Sequence, residues 1–302
     1  MKNYVSNAKQ FTVLILFLVL STYELIGQTN SIITINQKQE LILESKINGT
    51  TYHLYISLPQ HYSSKDTTRY PVLYMLDGGW TFPIAHAARI AVDAVGGVEN
   101  IIIVGIEYEW EQSLTPFFTG RWKDFTPSKD AKVDKNPYFR ESLGLPEGSL
   151  SSGGGPVFLN VIRKEIIPFI EKEYKTNSDR GISGHSFGGL FAGYCLLSAP
   201  DLFNRYGINS PSFWWNNEEM FNMEKTFSEH HQSLPVQIFM SCGSLEGELM
   251  VPVMTAFADS LRSRNYKGLN LTTHIFEDET HHSVIPAMIS RTLTVLYSAK
   301  KE

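Results

Sequence analysis

The alternation of short apolar segments with helix-length segments is the feature that most restricts how this chain can fold. Residues 70–76 and 100–107 are apolar at nearly every position, which is typical of strands covered on both faces of a largely parallel sheet. Further strands are predicted at residues 180–183, 206–209, 236–241 and 269–276. Helices are predicted at residues 85–95, 158–174 (with a kink at Pro168), 188–198, 218–228, 251–263 and 284–298. Such alternation forms βαβ units, so the sequence predicts an α/β fold with a mostly parallel central sheet and helices on both faces.

Two regions depart from this alternation. Residues 40–46 and 52–58 are strand-like and flank Asn48-Gly49, a turn signal that predicts an N-terminal antiparallel hairpin. Residues 109–155 are rich in Pro, Gly, Ser, Lys and Asp, and we interpret them as an irregular insertion over the edge of the sheet. Because a structureless connection of that length is uncommon, a functional flap is favoured. We find no repeat and no second domain, so residues 28–302 are predicted to form one domain.

The N-terminal residues 1–27 have the character of a signal peptide. Lys2 and Lys9 precede an apolar stretch at residues 11–20, and small polar residues follow it. The stretch is too short to span a bilayer comfortably. We expect cleavage after this apolar stretch and therefore an exported protein, periplasmic or extracellular. An uncleaved N-terminal anchor is the alternative.

Composition argues against two classes of partner. The net charge is −5 and no run of Lys or Arg forms a stripe that could follow phosphates, so nucleic acid is not expected as a partner. An acidic protein also has no electrostatic attraction to an anionic membrane, and no stable membrane insertion is expected. The two cysteines, Cys195 and Cys242, fall in apolar segments. Export permits a disulfide between them, but two buried, unpaired thiols are the preferred interpretation.

Residues 184–189, Gly-His-Ser-Phe-Gly-Gly, match G-x-S-x-G and lie between a predicted strand and an apolar helix. A nucleophile elbow requires that context, because the sharp turn exposes the hydroxyl of Ser186 above the sheet. We expect glycine at Gly184 and Gly188 because a Cβ there would collide with the neighbouring strand and helix. The N–H of Phe187 and the helix N-terminus then point to where negative charge develops on a reacting carbonyl oxygen. The alternative is a glycine-rich strand–helix turn without a catalytic role.

A serine nucleophile needs a base and an acid that orients it, and in the α/β-hydrolase fold they follow the serine in the order acid, histidine. The loop after residues 236–241 contains Glu246, the preferred acid, and Glu248, the fallback. The loop before the last helix contains His281 and His282, and this reasoning leaves the choice between them open. Adjacent side chains diverge and no further ligands stand at suitable spacing, so no metal site is predicted.

A second donor to the reacting oxygen is expected in the loop after residues 70–76. Small residues there let backbone N–H groups approach a substrate, and the amide of Gly79 or Trp80 is the candidate oxyanion donor. The alternative is a simple turn at Asp77-Gly78.

In these motifs the chain resembles the esterase family of enterochelin (siderophore) esterases, which has feruloyl and acetyl-xylan esterases and mycolyltransferases among its relatives. The resembling segments are residues 76–78, 121–127, 158–174, 184–189, 210–215, 243–246 and 281–284. The resemblance implies an α/β-hydrolase fold and hydrolysis of a small-molecule ester through an acyl-enzyme, without metal or organic cofactor. Members follow the catalytic histidine with a small or polar residue, which favours His281 as the base and leaves His282 as the fallback.

The resemblance also implies substrate contacts near the cleft, for which the candidates are His185, Arg121, Trp214 and Trp215. A guanidinium is suited to an anionic or phenolic group, and an indole stacks on a ring. The alternative is that Arg121 pairs with Asp124 in the interior and that both tryptophans belong to the core. A feruloyl or acetyl-xylan type carbohydrate esterase, an acyltransferase and a non-catalytic binding protein are the alternative functions.

Overall fold

The structure, a computed structural model, describes residues 38–109, 113–247 and 249–299. The expected signal peptide, residues 1–27, and the fallback acid Glu248 therefore lie outside the described residues. None of the helices in the described ranges combines the length and the apolar character needed to cross a membrane.

Eight strands of the described chain form one sheet in the order β1-β2-β4-β3-β5-β6-β7-β8. Their bounds are β1 Lys38–Glu44, β2 Thr51–Ser57, β3 Tyr70–Met75, β4 Ile102–Tyr108, β5 Thr176–His185, β6 Arg205–Asn209, β7 Gln237–Gly243 and β8 Asn270–Phe276. β2 pairs with β4 in antiparallel orientation, whereas β4, β3, β5, β6, β7 and β8 pair in parallel. The carboxyl ends of these six strands share one edge, where ligand sites of such sheets form. The predicted α/β fold with an N-terminal hairpin is confirmed.

Helices cover both faces of the sheet. Their bounds are α1 Gly78–Asp93, α2 Thr115–Asp124, α3 Ala131–Asp134, α4 Pro137–Ser142, α5 Gly155–Val161, α6 Ile167–Glu173, α7 Phe187–Ser198, α8 Trp215–His230, α9 Val251–Ser263 and α10 Ile285–Leu296. Alternate residues of a strand point to opposite faces. In β4, Ile102 and Val104 accordingly belong to the larger buried cluster, whereas Ile103 packs in a second cluster with residues of α1 and α10.

The segment 109–155 is not the irregular insertion that its composition predicts. It contains α2, α3 and α4, and Trp122 and Phe125 anchor α2 and its C-terminal end in the core, 3% and 1% exposed. Its polar residues act as caps, since the side chains of Asp130 and Asn136 accept hydrogen bonds from the first turns of α3 and α4. The residue types that suggested a loop are therefore those that begin short helices.

The kink predicted at Pro168 takes the form of a π-helical turn, Ile162–Ile166, which joins α5 to α6. Proline has no N–H to donate to the carbonyl one turn earlier, and the wider turn before it accommodates this loss. The two cysteines lie buried in α7 and β7, and both are free thiols, as interpreted from the sequence.

Candidate active site

A cavity at the carboxyl edge of the sheet brings together residues from distant parts of the sequence. Of the residues that the sequence analysis selected, six line it: Ser186, His185, His281, His282, Arg121 and Trp80. They come from the turn after β5, the loop before α10, and helices α2 and α1. Serine and imidazole groups in one cavity are the components of nucleophilic catalysis.

Ser186 occupies a single-residue turn. β5 ends at His185 and α7 begins at Phe187, and the Ser186 backbone between them has φ 61° and ψ −118°. A side chain in this region of backbone space is strained, and such strain is found at catalytic elbows. Because Phe187 is the first residue of α7, its N–H has no acceptor within the helix. The Ser186 hydroxyl lies 3.4 Å from the hydroxyl oxygen of Ser212.

The glycines around this turn carry unequal constraints. A Cβ on Gly184 would lie 2.3 Å from the carbonyl carbon of Gly188, which agrees with the expectation for Gly184. A Cβ on Gly188 would meet nothing closer than 3.4 Å, so the collision expected there is wrong. Gly189 is instead the second position at which the packing requires glycine, because a Cβ there would lie 2.6 Å from the carbonyl oxygen of Asn209 in β6.

Glu246 and His281 are in direct contact. His281 Nδ1 lies 2.7 Å from Glu246 Oε2, and the Glu246 side chain is completely buried. Its other oxygen, Oε1, accepts hydrogen bonds from the Ser210 hydroxyl and the Gly243 N–H, both at 2.6 Å. Burial raises the pKa of Glu246, but the hydrogen bonds from His281, Ser210 and Gly243 outweigh it and lower the pKa overall. The carboxylate is therefore ionised and fully hydrogen-bonded.

His281 and His282 are not equivalent in this arrangement. With Nδ1 held by Glu246, the Nε2 atom of His281 remains for a proton from the cavity. His282 is exposed, and its ring centroid lies 5.5 Å from that of His281. The geometry therefore pairs the preferred acid with the preferred base.

His185 lies behind the imidazole of His281. The two ring centroids are 4.3 Å apart, and the Nε2 atom of His185 is buried without a hydrogen-bond partner in the described chain. Burial, followed by electrostatic repulsion between a protonated His185 and its neighbours His281 and Arg121, lowers the pKa of His185 well below its ordinary value. His185 is therefore neutral, and it supports the His281 ring as well as lining the cavity.

The two amides predicted as second oxyanion donors are both engaged. The N–H of Gly79 donates to Glu107 Oε2 at 2.6 Å, and the N–H of Trp80 donates to the Asp77 carbonyl at 3.0 Å. The reason is that α1 begins at Gly78, earlier than the sequence predicts, so these residues form a helical turn rather than a loop. Neither amide is free in this structure to face the cavity.

Glu107 is a residue that sequence reasoning missed, because a glutamate at the end of an apolar strand is usually solvated. It is completely buried, and its Oε1 accepts the Tyr108 N–H at 2.7 Å. Burial, together with the negative charge of Asp77, raises the pKa of Glu107 to about 7.

Arg121 lines the cavity but is already paired. Its guanidinium binds both carboxylate oxygens of Asp77, at 2.8 and 3.1 Å. The alternative partner considered from the sequence, Asp124, instead accepts hydrogen bonds from the hydroxyls of Tyr52 and Tyr108. Asp77 therefore neutralises the charge of Arg121, and Arg121 does not present a free cation to the cavity.

The two tryptophans proposed to stack on a substrate do not line this cavity. Trp215 is completely buried, and Trp214 stacks on Phe139 with ring planes 6° apart. The lining of this cavity therefore gives no support to the expected contacts, and Trp215 has the alternative placement in the core. The aromatic surface of the cavity is instead Trp80, 45% exposed, which stacks on Phe117 with centroids 5.8 Å apart.

No group of three or more His, Cys, Asp or Glu side chains in the described ranges is arranged to hold a metal ion.

Comparisons with known proteins identify relatives of this chain. The family model described as "Putative esterase" matches residues 45–132 and 124–283. The ferri-bacillibactin esterase BesA of Bacillus subtilis is 33% identical over 88% of this chain and 92% of its own length. The siderophore triacetylfusarinine C esterase of Aspergillus fumigatus is 27% identical over 90% of this chain and 97% of its own length. The crystal structure of the BES protein from Bacillus cereus matches with a TM-score of 0.73 and 31% identity, covering 89% of this chain and 98% of that one.

Proposed function

This chain belongs to the esterase family that its motifs predicted, which makes it a serine hydrolase of carboxylic esters, and we propose that it cleaves a siderophore-type ester with Ser186, His281 and Glu246. One observation carries the assignment of residues. The 2.7 Å contact between His281 Nδ1 and the buried Glu246 carboxylate orients an imidazole in the same cavity as the elbow serine. A base oriented by an acid is what a serine hydroxyl needs to become a nucleophile.

The reaction begins with proton transfer from Ser186 to Nε2 of His281, and Glu246 stabilises the resulting imidazolium. In the described structure the Ser186 hydroxyl contacts Ser212 rather than the His281 ring, so the hydroxyl turns toward the imidazole when substrate binds. Ser186 then attacks the ester carbonyl, and His281 protonates the leaving alcohol. Water activated by His281 releases the acid from the acyl-enzyme.

The oxyanion is stabilised first by the N–H of Phe187 at the N-terminus of α7. The Gly79 amide is our second candidate donor, and its use requires an exchange of the Glu107 carboxylate for the substrate oxygen. The exchange is favoured when Glu107 is protonated, since a neutral carboxyl is a weaker acceptor than a carboxylate.

The substrate class rests on the relatives and on the cavity. One relative named above is a ferri-bacillibactin esterase, and the other is a siderophore triacetylfusarinine C esterase. The exposed Trp80 ring on Phe117 offers a flat surface beside Ser186, which suits the aromatic ring of a catecholate ester. We also propose that residues 1–27 direct export, so that the ester is met outside the cytoplasm.

The test compares single variants on a p-nitrophenyl ester, catecholate trilactone, methyl ferulate and acetylated xylan. We expect Ser186→Ala and His281→Ala each to lower kcat on the order of 10⁶-fold, because the members of such a unit act together. His282→Ala is the matched comparison and should keep most of the turnover. A fluorophosphonate probe should label the unaltered protein and leave Ser186→Ala unlabelled.

Each alternative has its own outcome in this experiment. Wild-type turnover in Ser186→Ala contradicts the mechanism, and loss of activity in His282→Ala alone moves the base to His282. Capture of the acyl group by an added alcohol indicates acyl transfer. Faster cleavage of ferulate or xylan esters than of the trilactone replaces the siderophore with a plant-wall ester.

A further inference from the structure

The loop after β6 contacts both the nucleophile elbow and the acid. The N–H of Ser186 donates to the Asn209 carbonyl at 3.0 Å, and the N–H of Ser212 donates to the Ser186 carbonyl at 3.1 Å. Between these two contacts, the Ser210 hydroxyl donates to Glu246 Oε1 at 2.6 Å. The loop after β6 therefore supports both Ser186 and Glu246, which are not in contact with each other.

Ser210 is held in an unfavourable backbone conformation. Its φ is 41°, it is completely buried, and its N–H donates to the Ser241 carbonyl at 2.6 Å. A residue with a Cβ in the left-handed region is strained, and glycine would relieve the strain. Such strain persists where the side chain has a use, and here the hydroxyl has one partner of functional interest, the Glu246 carboxylate.

The Glu246 carboxylate has three donors in the described structure, and only the one on Oε2 belongs to the base. Without the Ser210 hydroxyl, Oε1 would keep the Gly243 N–H alone, and the carboxylate plane could rotate away from His281. We propose that Ser210 is a positioning residue, whose hydroxyl fixes the Glu246 carboxylate so that Oε2 faces the imidazole. The proposal rests on the proposed function, because it assigns Ser210 a role in the work of Glu246.

Two substitutions distinguish the effect of losing the Ser210 hydroxyl from the effect of relieving the backbone strain at this residue. Ser210→Ala removes the hydroxyl and keeps the Cβ, whereas Ser210→Gly removes both and relieves the backbone. We expect both variants to lower kcat about ten- to a hundredfold, the effect of losing a hydrogen bond to a charged group, with KM within about twofold. Ser210→Gly should melt no lower than Ser210→Ala. Ser263→Ala, at an exposed serine in α9, is the matched control and should keep wild-type kcat.

A double-mutant cycle shows whether Ser210 acts through the acid. In a Glu246→Ala background, Ser210→Ala should cost nothing further, because the group that it positions is gone. The proposal is overturned if Ser210→Ala keeps wild-type kcat, if Ser210→Gly alone keeps it, if only KM changes, or if the loss recurs in full without Glu246. Failure of the proposed function looks different, since the unaltered protein would then lack esterase activity and probe labelling.

Discussion

At the scale of single residues, the elbow shows how far a motif determines geometry. The pattern around Ser186 correctly marks a strained turn, because a strand and a helix leave only one residue between them. The pattern does not reveal which glycines the packing requires. That depends on where each Cβ would point, which is toward the Gly188 backbone from Gly184 and toward β6 from Gly189.

The pair Gly184 and Gly188 supplies a matched test. Gly184→Ala places a Cβ 2.3 Å from the backbone of the next helix, so the turn must shift, and we expect a loss of several kcal/mol in the free energy of unfolding. Gly188→Ala meets only ordinary contact and replaces glycine within a helix, so it should cost less than about 1 kcal/mol. Urea unfolding of both variants measures the difference, and equal losses would contradict this account of the elbow.

Ser210 and Glu107 show why other site residues are not found from the sequence. A serine before a proline and a glutamate at the end of a strand are common, and the resemblance in residues 210–215 assigns no role to Ser210. Their importance comes from partners distant in the sequence, Glu246 for Ser210 and Gly79 for Glu107. For Glu246 and His281, in contrast, the sequence offers signals, because the fold places an acid and then a histidine after the serine and the family resemblance favours His281 over His282.

At the scale of elements, α2 is joined to the turn between β3 and α1 by a buried ion pair. Arg121 of α2 binds Asp77, whose backbone is left-handed with φ 55° and directly precedes α1. The side chains are 16% and 8% exposed. The segment read as an irregular insertion thus supplies the helix that covers one wall of the cavity, which its composition alone could not indicate.

Removal of one partner from that pair should be costly. Arg121→Ala leaves the Asp77 carboxylate buried near Glu107 without its cation, and we expect a loss of about 3 kcal/mol or more in the free energy of unfolding. Arg163→Ala breaks a pair with Asp201 of similar geometry but greater exposure, 36% and 70%, and should cost at most about 1 kcal/mol.

The double variant Asp77→Asn/Arg121→Ala distinguishes an unpaired charge from lost packing. Asparagine tolerates the left-handed conformation, and it carries no charge. Part of the stability lost in Arg121→Ala should therefore return. If the double variant unfolds as easily as Arg121→Ala, the loss comes from packing of the arginine side chain rather than from charge.

At the scale of the whole molecule, the sheet and its covering helices were predictable because apolar periodicity records burial on both faces of each strand. The ends of the helices were less predictable from the sequence. At α1, Gly78 and Gly79 begin the helix despite the low helix propensity of glycine. At this point tertiary contacts outweigh propensity: a Cβ on Gly78 would lie 2.8 Å from the Gly105 backbone, and Gly79 donates to Glu107. The same early start of α1 withdraws the expected oxyanion amides from the cavity.

The buried Glu107 carboxyl also makes the stability of the molecule depend on pH. Its pKa rises from 4.5 to about 7 on folding, so between these values the folded chain holds a proton that the unfolded chain has released. The contribution of Glu107 to the free energy of unfolding is therefore greatest at or below pH 4.5. It decreases by up to about 3 kcal/mol as the pH rises to 7. Glu107→Gln is neutral at every pH, so relative to the unaltered protein it should gain free energy of unfolding between pH 5 and pH 8.

Urea unfolding at pH 5, 6, 7 and 8 measures this gain as the difference between the two proteins, which removes the contribution of the other titrating groups. Glu109→Gln, at an exposed glutamate just beyond the end of β4, is the control and should shift the curve equally at every pH. A difference between Glu107→Gln and the unaltered protein that stays constant over this range would mean that Glu107 is already ionised at pH 5. The Gly79 amide would then face a full carboxylate throughout, and its release to a substrate oxygen would have no link to pH.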